Sequence, residues 1–340
     1  MRKKSLCFLA MILAGGLDLA APGLRAQGST AVELDFPGAL ATVGQAINNN
    51  GDIVGSYIGG GRHGFVLKSG NYTQYAQIDV PTSWNALGTM ATGINDSEMI
   101  VGSYLHKDAD DEVHDHGYCL MPDGSFVKID VPGATDTTPR AISSANVVGY
   151  YQDPSGNLHG FIGMNTSAVT IDFPNAVATE VTGINNHGDV AGTYADSSGN
   201  IHGFTRTSAG SFSSFDAPGV ASQLVGTNAL AINDEGQAAG YDGKSKSTAL
   251  PKDPQGLFPP VADLHGFVRT DGKFVAVNVP DGINTCIFGL NNSGAAVGQY
   301  NTTDGATHGF YIQLEPSESK TRLTLQSSLH HYARSPIQAF

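Results

Sequence analysis

The sequence predicts an all-β protein, a six-bladed β-propeller of four-stranded antiparallel blades closed by its N-terminal strand. Three observations predict it. One phrase recurs six times at nearly constant spacing. Glycine is abundant, 43 of 340 residues, without a collagen-like period. The two ends of the repeated region read as complementary fragments of one unit.

The phrase is clearest in "GINNHGDVAGTYADSSGNIHGF", residues 183–204. Each unit carries three marks: an Asp or Asn two residues before Pro in nearly every case (Asp35, Asp79, Asp130, Asp172, Asp216, Asn278), a Thr (Thr42, Thr89, Thr137, Thr179, Thr227, Thr285), and a His-Gly-aromatic step beginning at His63, His116, His159, His202, His265 and His308. From each Thr to the glycine of the later Val-Gly or Ala-Gly step lie 13, 13, 12, 13, 13 and 13 positions. A repeat of this length is the sequence mark of a propeller or solenoid.

Each unit divides into four strands. The first runs from the Thr to an Ile/Leu-Asn step. An Asn- and Gly-rich turn follows, with Gly188 placed for a positive φ. "DVAGTY" is the second strand, and His-Gly-Phe opens the third. The fourth ends in "IDFP", where proline cannot donate to the ladder. Repeat units start near residues 35, 79, 130, 172, 216 and 278, and the propeller spans 31–315. "AVELDFP" (31–37) is a fourth strand with no third before it, and "HGFYIQL" (308–314) is a third strand with no successor. Pairing these two would close the ring and remove the open edge.

The phrase [GA]-I-N-x-x-G-x-[IV]-V-G-x-Y, then H-G-F, then I-D-x-P-G-A, resembles the bacterial extracellular HAF-repeat family over about residues 32–314. Here glycine fills the middle place of the His-Ala-Phe step for which the family is named. The resemblance implies an exported, propeller-like repeat protein and transfers no catalytic residues.

Residues 1–26 read as a signal peptide. Arg2, Lys3 and Lys4 precede the apolar run 6–14, which is too short to span a bilayer. The expected location is secreted, periplasmic or cell-surface. Removing Arg2, Lys3, Lys4, Arg25 and Asp18 leaves 14 basic against 30 acidic residues, a net charge of −16. That charge argues against nucleic-acid partners, and no later segment has the length of a membrane span. Cys119 and Cys286 fall on separate blades, so no disulfide is expected. The tail 316–340 carries no repeat mark and is expected to be poorly ordered.

The six repeat histidines and six threonines read as structural: a polar group needed at the same place in every unit suits an internal hydrogen-bonded clip better than a ligand ring. Function is sought where units differ. The connections are longest in units two and five. Unit two contributes Trp84 and the acidic segment with Asp108, Asp110, Asp111, Glu112 and Asp115, a candidate calcium set without EF-hand spacing. Unit five contributes Lys244, Lys246, Lys252 and Phe258 as candidate ligand contacts. Glu180 is the only carboxylate on the six axial strands. The sequence therefore points to an exported, non-enzymatic binding or scaffolding module for an extracellular protein or glycan, without a required cofactor. The alternative is a propeller hydrolase or lyase with a cation held by segment 106–116.

Overall fold

The computed structural model describes residues 31–108, 111–218, 226–243 and 264–315. The signal segment and nearly all of the tail lie outside them. The described chain is all-β, with 24 strands and two single-turn 3-10 helices at Thr82–Trp84 and Asn165–Ser167. No helix of the described residues is long and apolar enough to cross a membrane.

The strands form four-stranded antiparallel units. The fourth shows the plan: Ala178–Ile184, Val190–Ala195, Ile201–Arg206 and Phe212–Phe215 pair in sequence order. The strands within 136–171, 178–215 and 226–277 form three separate sheets. Six separate sheets are expected from the repeats, but the remaining twelve strands are joined into one mixed sheet. Single parallel bridges, Ala41 to Thr307 and Arg62 to Gly88, connect neighbouring units where a third strand passes the next first strand. The N-terminal strand Val32–Leu34 pairs antiparallel with Thr307–Gln313.

The repeat marks have physical partners. In all six units the Thr hydroxyl oxygen accepts the backbone N–H of the residue just after the Asp or Asn mark, as from Phe173 to Thr179 (3.0 Å); Val80 and Ala217 reach Thr89 and Thr227, at 3.3 and 2.8 Å, across longer connections. Five histidine Nδ1 atoms lie 2.7–2.9 Å from an aspartate: His63 with Asp79, His116 with Asp130, His159 with Asp172, His202 with Asp216, and His308 with Asp35. A tyrosine of the second strand stacks on each of these imidazoles, with centroids 5.0–5.5 Å apart. His265 is exposed, and its unit carries Asn278 and Asp242 in place of the aspartate and tyrosine.

Apolar clusters fill the spaces between units, each built around a fully buried aromatic such as Phe204 or Phe310. Glycine is required where the first strand passes under the second: a Cβ on Gly298 would sit 1.9 Å from the Cys286 carbonyl oxygen. On the third strand, a Cβ on Gly309 would lie 2.6 Å from the Leu34 carbonyl oxygen, so alanine cannot enter this His-Gly-Phe step without a backbone shift.

Candidate functional site

Each of the six first strands carries a β-bulge at the same place, between Gly44 and Ala46, Ala91 and Gly93, Pro139 and Ala141, Val181 and Gly183, Ala229 and Ala231, and Ile287 and Gly289. A bulge re-aims the extra side chain. The extra residues, among them Thr92, Arg140, Thr182 and Phe288, line one common cavity. Beneath it, Ile47, Ile94, Ile142, Ile184, Ile232 and Leu290 form an aliphatic ring, each 6–8% exposed. This ring also lines a shallow depression on the far side, between it and the Asn turns. These apolar side chains thus separate two hollows.

The bulge side carries ionisable groups. Arg140 and Glu180 are both half-buried. Burial raises the Glu180 carboxyl above the usual carboxylate range, and the charge of Arg140 opposes the rise only in part. Tyr150 and Tyr241, each one residue beyond the second-strand glycine, have their phenols pushed up, first by burial; the Glu180 charge adds to both and Arg140 opposes. Tyr150 also feels the charge of Asp115. These mutual influences bring Arg140, Tyr150, Glu180 and Tyr241, from units three, four and five, into one electrostatic neighbourhood.

Asp115 extends the group toward unit two. Burial first, then the charge of Asp136, raises its carboxyl, while Arg62 and His116 pull it down. Its backbone N–H donates to Asp136 Oδ1 at 2.9 Å, and its own Oδ1 is buried without a hydrogen-bond partner among the described residues. His114 Nδ1 stands 3.5 Å from Asp136 Oδ2. The Arg62 guanidinium reaches the Met90 sulfur at 3.0 Å. The solvent-accessible members of this surface, Arg62, Asp115, Asp136, Arg140, Tyr150 and Glu180, belong to units one to four, whereas Val43, Tyr241, Cys286 and Phe288 opposite are buried.

The sequence-proposed ligand residues fall elsewhere. Trp84 packs on Tyr104 and Phe126, at 5.1 and 6.2 Å between centroids, with the Lys128 ammonium 5.0 Å above its ring. Lys244, Lys246, Lys252 and Phe258 lie outside the described residues, as does Asp110. In the acidic segment, Asp111 pairs with Lys107 at 2.8 Å, and Asp108 and Glu112 lie 3.6 and 3.8 Å from His114 Nε2. Asp115 points away from these, into the group with Asp136. Cys119 and Cys286 are free and buried.

Arg140, Tyr150, Tyr241 and Asp136 were not singled out by sequence reasoning. The signal was present in the aligned units: Arg140 is the only charge among the bulge residues, and two tyrosines interrupt a position otherwise Ser, Thr or Gln. Glu180 is the only carboxylate between the repeat Thr and Asn marks, but the first strand of unit three begins one residue earlier, at Asp136, and the third strand of unit two supplies Asp115.

No family model matches the chain, and no curated protein matches it. Among solved structures, it is similar to a subtype N11 neuraminidase-like protein of A/flat-faced bat/Peru, at 9% identity and TM-score 0.44, covering 85% of this chain and 94% of that one. It is also similar to Trypanosoma rangeli sialidase in complex with the inhibitor DANA, at 8% identity and TM-score 0.47, over 88% of this chain and 59% of that one. AofleA from Arthrobotrys oligospora is similar at 12% identity and TM-score 0.39, over 75% of this chain and 74% of that one. Buried acids, an arginine and tyrosines gathered in one recess correct the expectation of a non-enzymatic binding or scaffolding module.

Proposed function

We propose that this chain is an exported glycoside hydrolase of the propeller type, working in the recess bounded by Asp115, Arg140, Tyr150 and Glu180. The scaffold in this reading is a six-bladed propeller closed by the N-terminal strand, akin to the HAF-repeat proteins. The antiparallel pairing of Val32–Leu34 with Thr307–Gln313 and the bond from Asn291 to Asn48 support that closure.

The observation that carries the catalytic reading is the pair of carboxyls, Glu180 and Asp115, both raised by burial and both acting on Tyr150 beside Arg140. Glycoside hydrolysis requires a carboxyl that is still protonated near neutral pH, to give its proton to the leaving oxygen, and a second carboxylate across the scissile bond. Glu180 fills the first role. Asp115, backed by Asp136, fills the second once ionised. Arg140 and the Tyr150 phenol orient sugar hydroxyls, and Arg140 limits the rise of Glu180 so that its proton can still be released.

The test is a panel of fluorogenic glycosides, neutral hexosides and sialosides, offered to the mature protein from acid to neutral pH. Turnover of at least one, reduced by about 100-fold or more in Glu180→Gln with unaltered circular dichroism, is the expected result. No turnover of any member, together with no glycan binding, overturns the reading.

A further inference from the structure

We propose that Glu33, Asp35 and His308 form a divalent transition-metal site, with Zn2+ as its preferred ion, that fastens the N-terminal strand to the last one. The three side chains come from the two strands that pair at the chain's ends, Glu33 and Asp35 at one side and His308 at the other. Their donor atoms all lie within 4.8 Å of one another. His308 Nδ1 is 2.7 Å from Asp35 Oδ2 and 4.0 Å from Glu33 Oε2. The Tyr300 hydroxyl donates to Glu33 Oε2 at 3.0 Å and fixes that carboxylate facing the imidazole.

The other units show why this one differs. The His–Asp contact recurs at four other places, so it is a feature of the repeat. The residue two before each aspartate or asparagine mark is Gln77, Lys128, Thr170, Ser214 or Ala276. At Gln77, Thr170 and Ser214 it also meets the second-strand tyrosine, but through a neutral group. Only the joining unit places a second carboxylate there. A neutral imidazole with two carboxylates is a borderline donor set of the kind zinc takes, whereas calcium calls for six or more oxygens. Donors about 2.0–2.2 Å from a tetrahedral ion stand roughly 3.3–3.6 Å apart, so Asp35 draws back from the imidazole and Glu33 closes on it, each by less than about 1 Å, and water completes the tetrahedron. Tyr300 then acts as the outer group that orients a ligand.

Binding at these residues ties residue 33 to residue 308, so the ion stabilises the folded chain by an amount that grows with the logarithm of its concentration over its dissociation constant. The experiment uses the mature protein, calorimetry and thermal melting with Zn2+, Mn2+ or Ca2+, and the variants Glu33→Gln and His159→Ala. The expected result is one Zn2+ bound per chain with a rise in melting temperature. Glu33→Gln lowers its affinity by about tenfold or more, with melting in chelator unchanged. His159→Ala, at a contact whose two aspartates sit on opposite ring nitrogens and cannot converge on one ion, leaves zinc affinity as it was. Zinc bound equally well by Glu33→Gln, no zinc bound at all, or calcium preferred over zinc would each overturn the site. Glycosidase assays in chelator are independent of this outcome.

Discussion

The Asn291 side-chain amide donates to the Asn48 carbonyl oxygen at 3.0 Å, across 243 positions of sequence. The same bond runs from Asn48 to Asn95, Asn95 to Ser143, Asn185 to Asn233 and Asn233 to Asn291, at 3.0–3.2 Å overall. All are buried. Ser143 stands where asparagine is needed and sends no bond to Asn185, because its hydroxyl serves its own shortened turn. Truncating one of these amides removes that bond and also orphans the turn N–H groups that its oxygen accepts, Ser293 and Ala295 for Asn291, at about 1–3 kcal/mol. Asn291→Ala is thus expected to lower unfolding free energy by that amount, and more than Ser143→Ala does. Urea denaturation of both variants measures the difference; equal losses would refute the chain of bonds as a source of stability.

Two histidine contacts make stability depend on pH. The hydrogen bond to Asp130 raises the His116 pKa above its ordinary value, against burial. For His159, burial lowers the pKa, but the bonds and charges of Asp172 and Asp153 outweigh it. A raised histidine contributes stability that is complete below about pH 6.5 and lost as pH rises through the folded-state value. The raised carboxyls Glu180 and Asp115 also favour low pH, but their window opens lower, from about pH 4. Unfolding free energy should therefore fall between about pH 6 and pH 9, and a His116→Gln/His159→Gln double variant should flatten that interval. An unchanged slope in the double variant contradicts the assignment.

Glu180 sets activity against stability. Its charged form is disfavoured by burial, so a neutral isostere relieves the fold at neutral pH. Glu180→Gln is expected to melt higher than wild type at about pH 7.5 and equally at acid pH, where both are neutral, while losing turnover. A lower melting temperature at neutral pH would assign Glu180 a structural ion-pair role with Arg140 instead.

Tyr118 occupies the place filled by Phe65, Phe161, Phe204, Phe267 and Phe310 in the other units. It is fully buried, and its hydroxyl has no hydrogen-bond partner among the described residues. Tyr118→Phe removes that polar atom without changing the ring, so a stability gain of roughly 1 kcal/mol is expected in thermal melting. A loss would mean that the hydroxyl is satisfied by enclosed water.

The buried thiols provide a simple check on packing. Burial pushes Cys119 up to about 11 and Cys286 further still, so neither forms thiolate at neutral pH. A disulfide reagent should label neither in the native protein and both on unfolding. Fast native labelling of Cys286 would show that the axis is open beneath it.

Much of the fold is legible because its determinants are local and repeated. Gly298 and its equivalents are dictated by a carbonyl oxygen standing where a Cβ would go, and Thr179 by the N–H of Phe173 six residues before it. Such requirements return at fixed spacing. The parallel bridges at Ala41 and Arg62 depend on how closely neighbouring units approach, which no spacing records. The recess is harder still. Arg140 and Tyr150 lie on the first and second strands of unit three and Asp115 on the third strand of unit two, and they meet only because the bulges and the arrangement of the units aim them together. Searching for a carboxylate ring on one strand finds Glu180 alone. Searching the variable connections finds Trp84, whose ring is occupied by Tyr104, Phe126 and Lys128.

The aliphatic collar of Ile47, Ile94, Ile142, Ile184, Ile232 and Leu290 gives the hollow above it a floor. A pit with one entrance obliges product to leave by the route through which substrate came. For the proposed hydrolase, such a dead end would bring strong competitive inhibition by product and poor tolerance of polymers gripped in mid-chain.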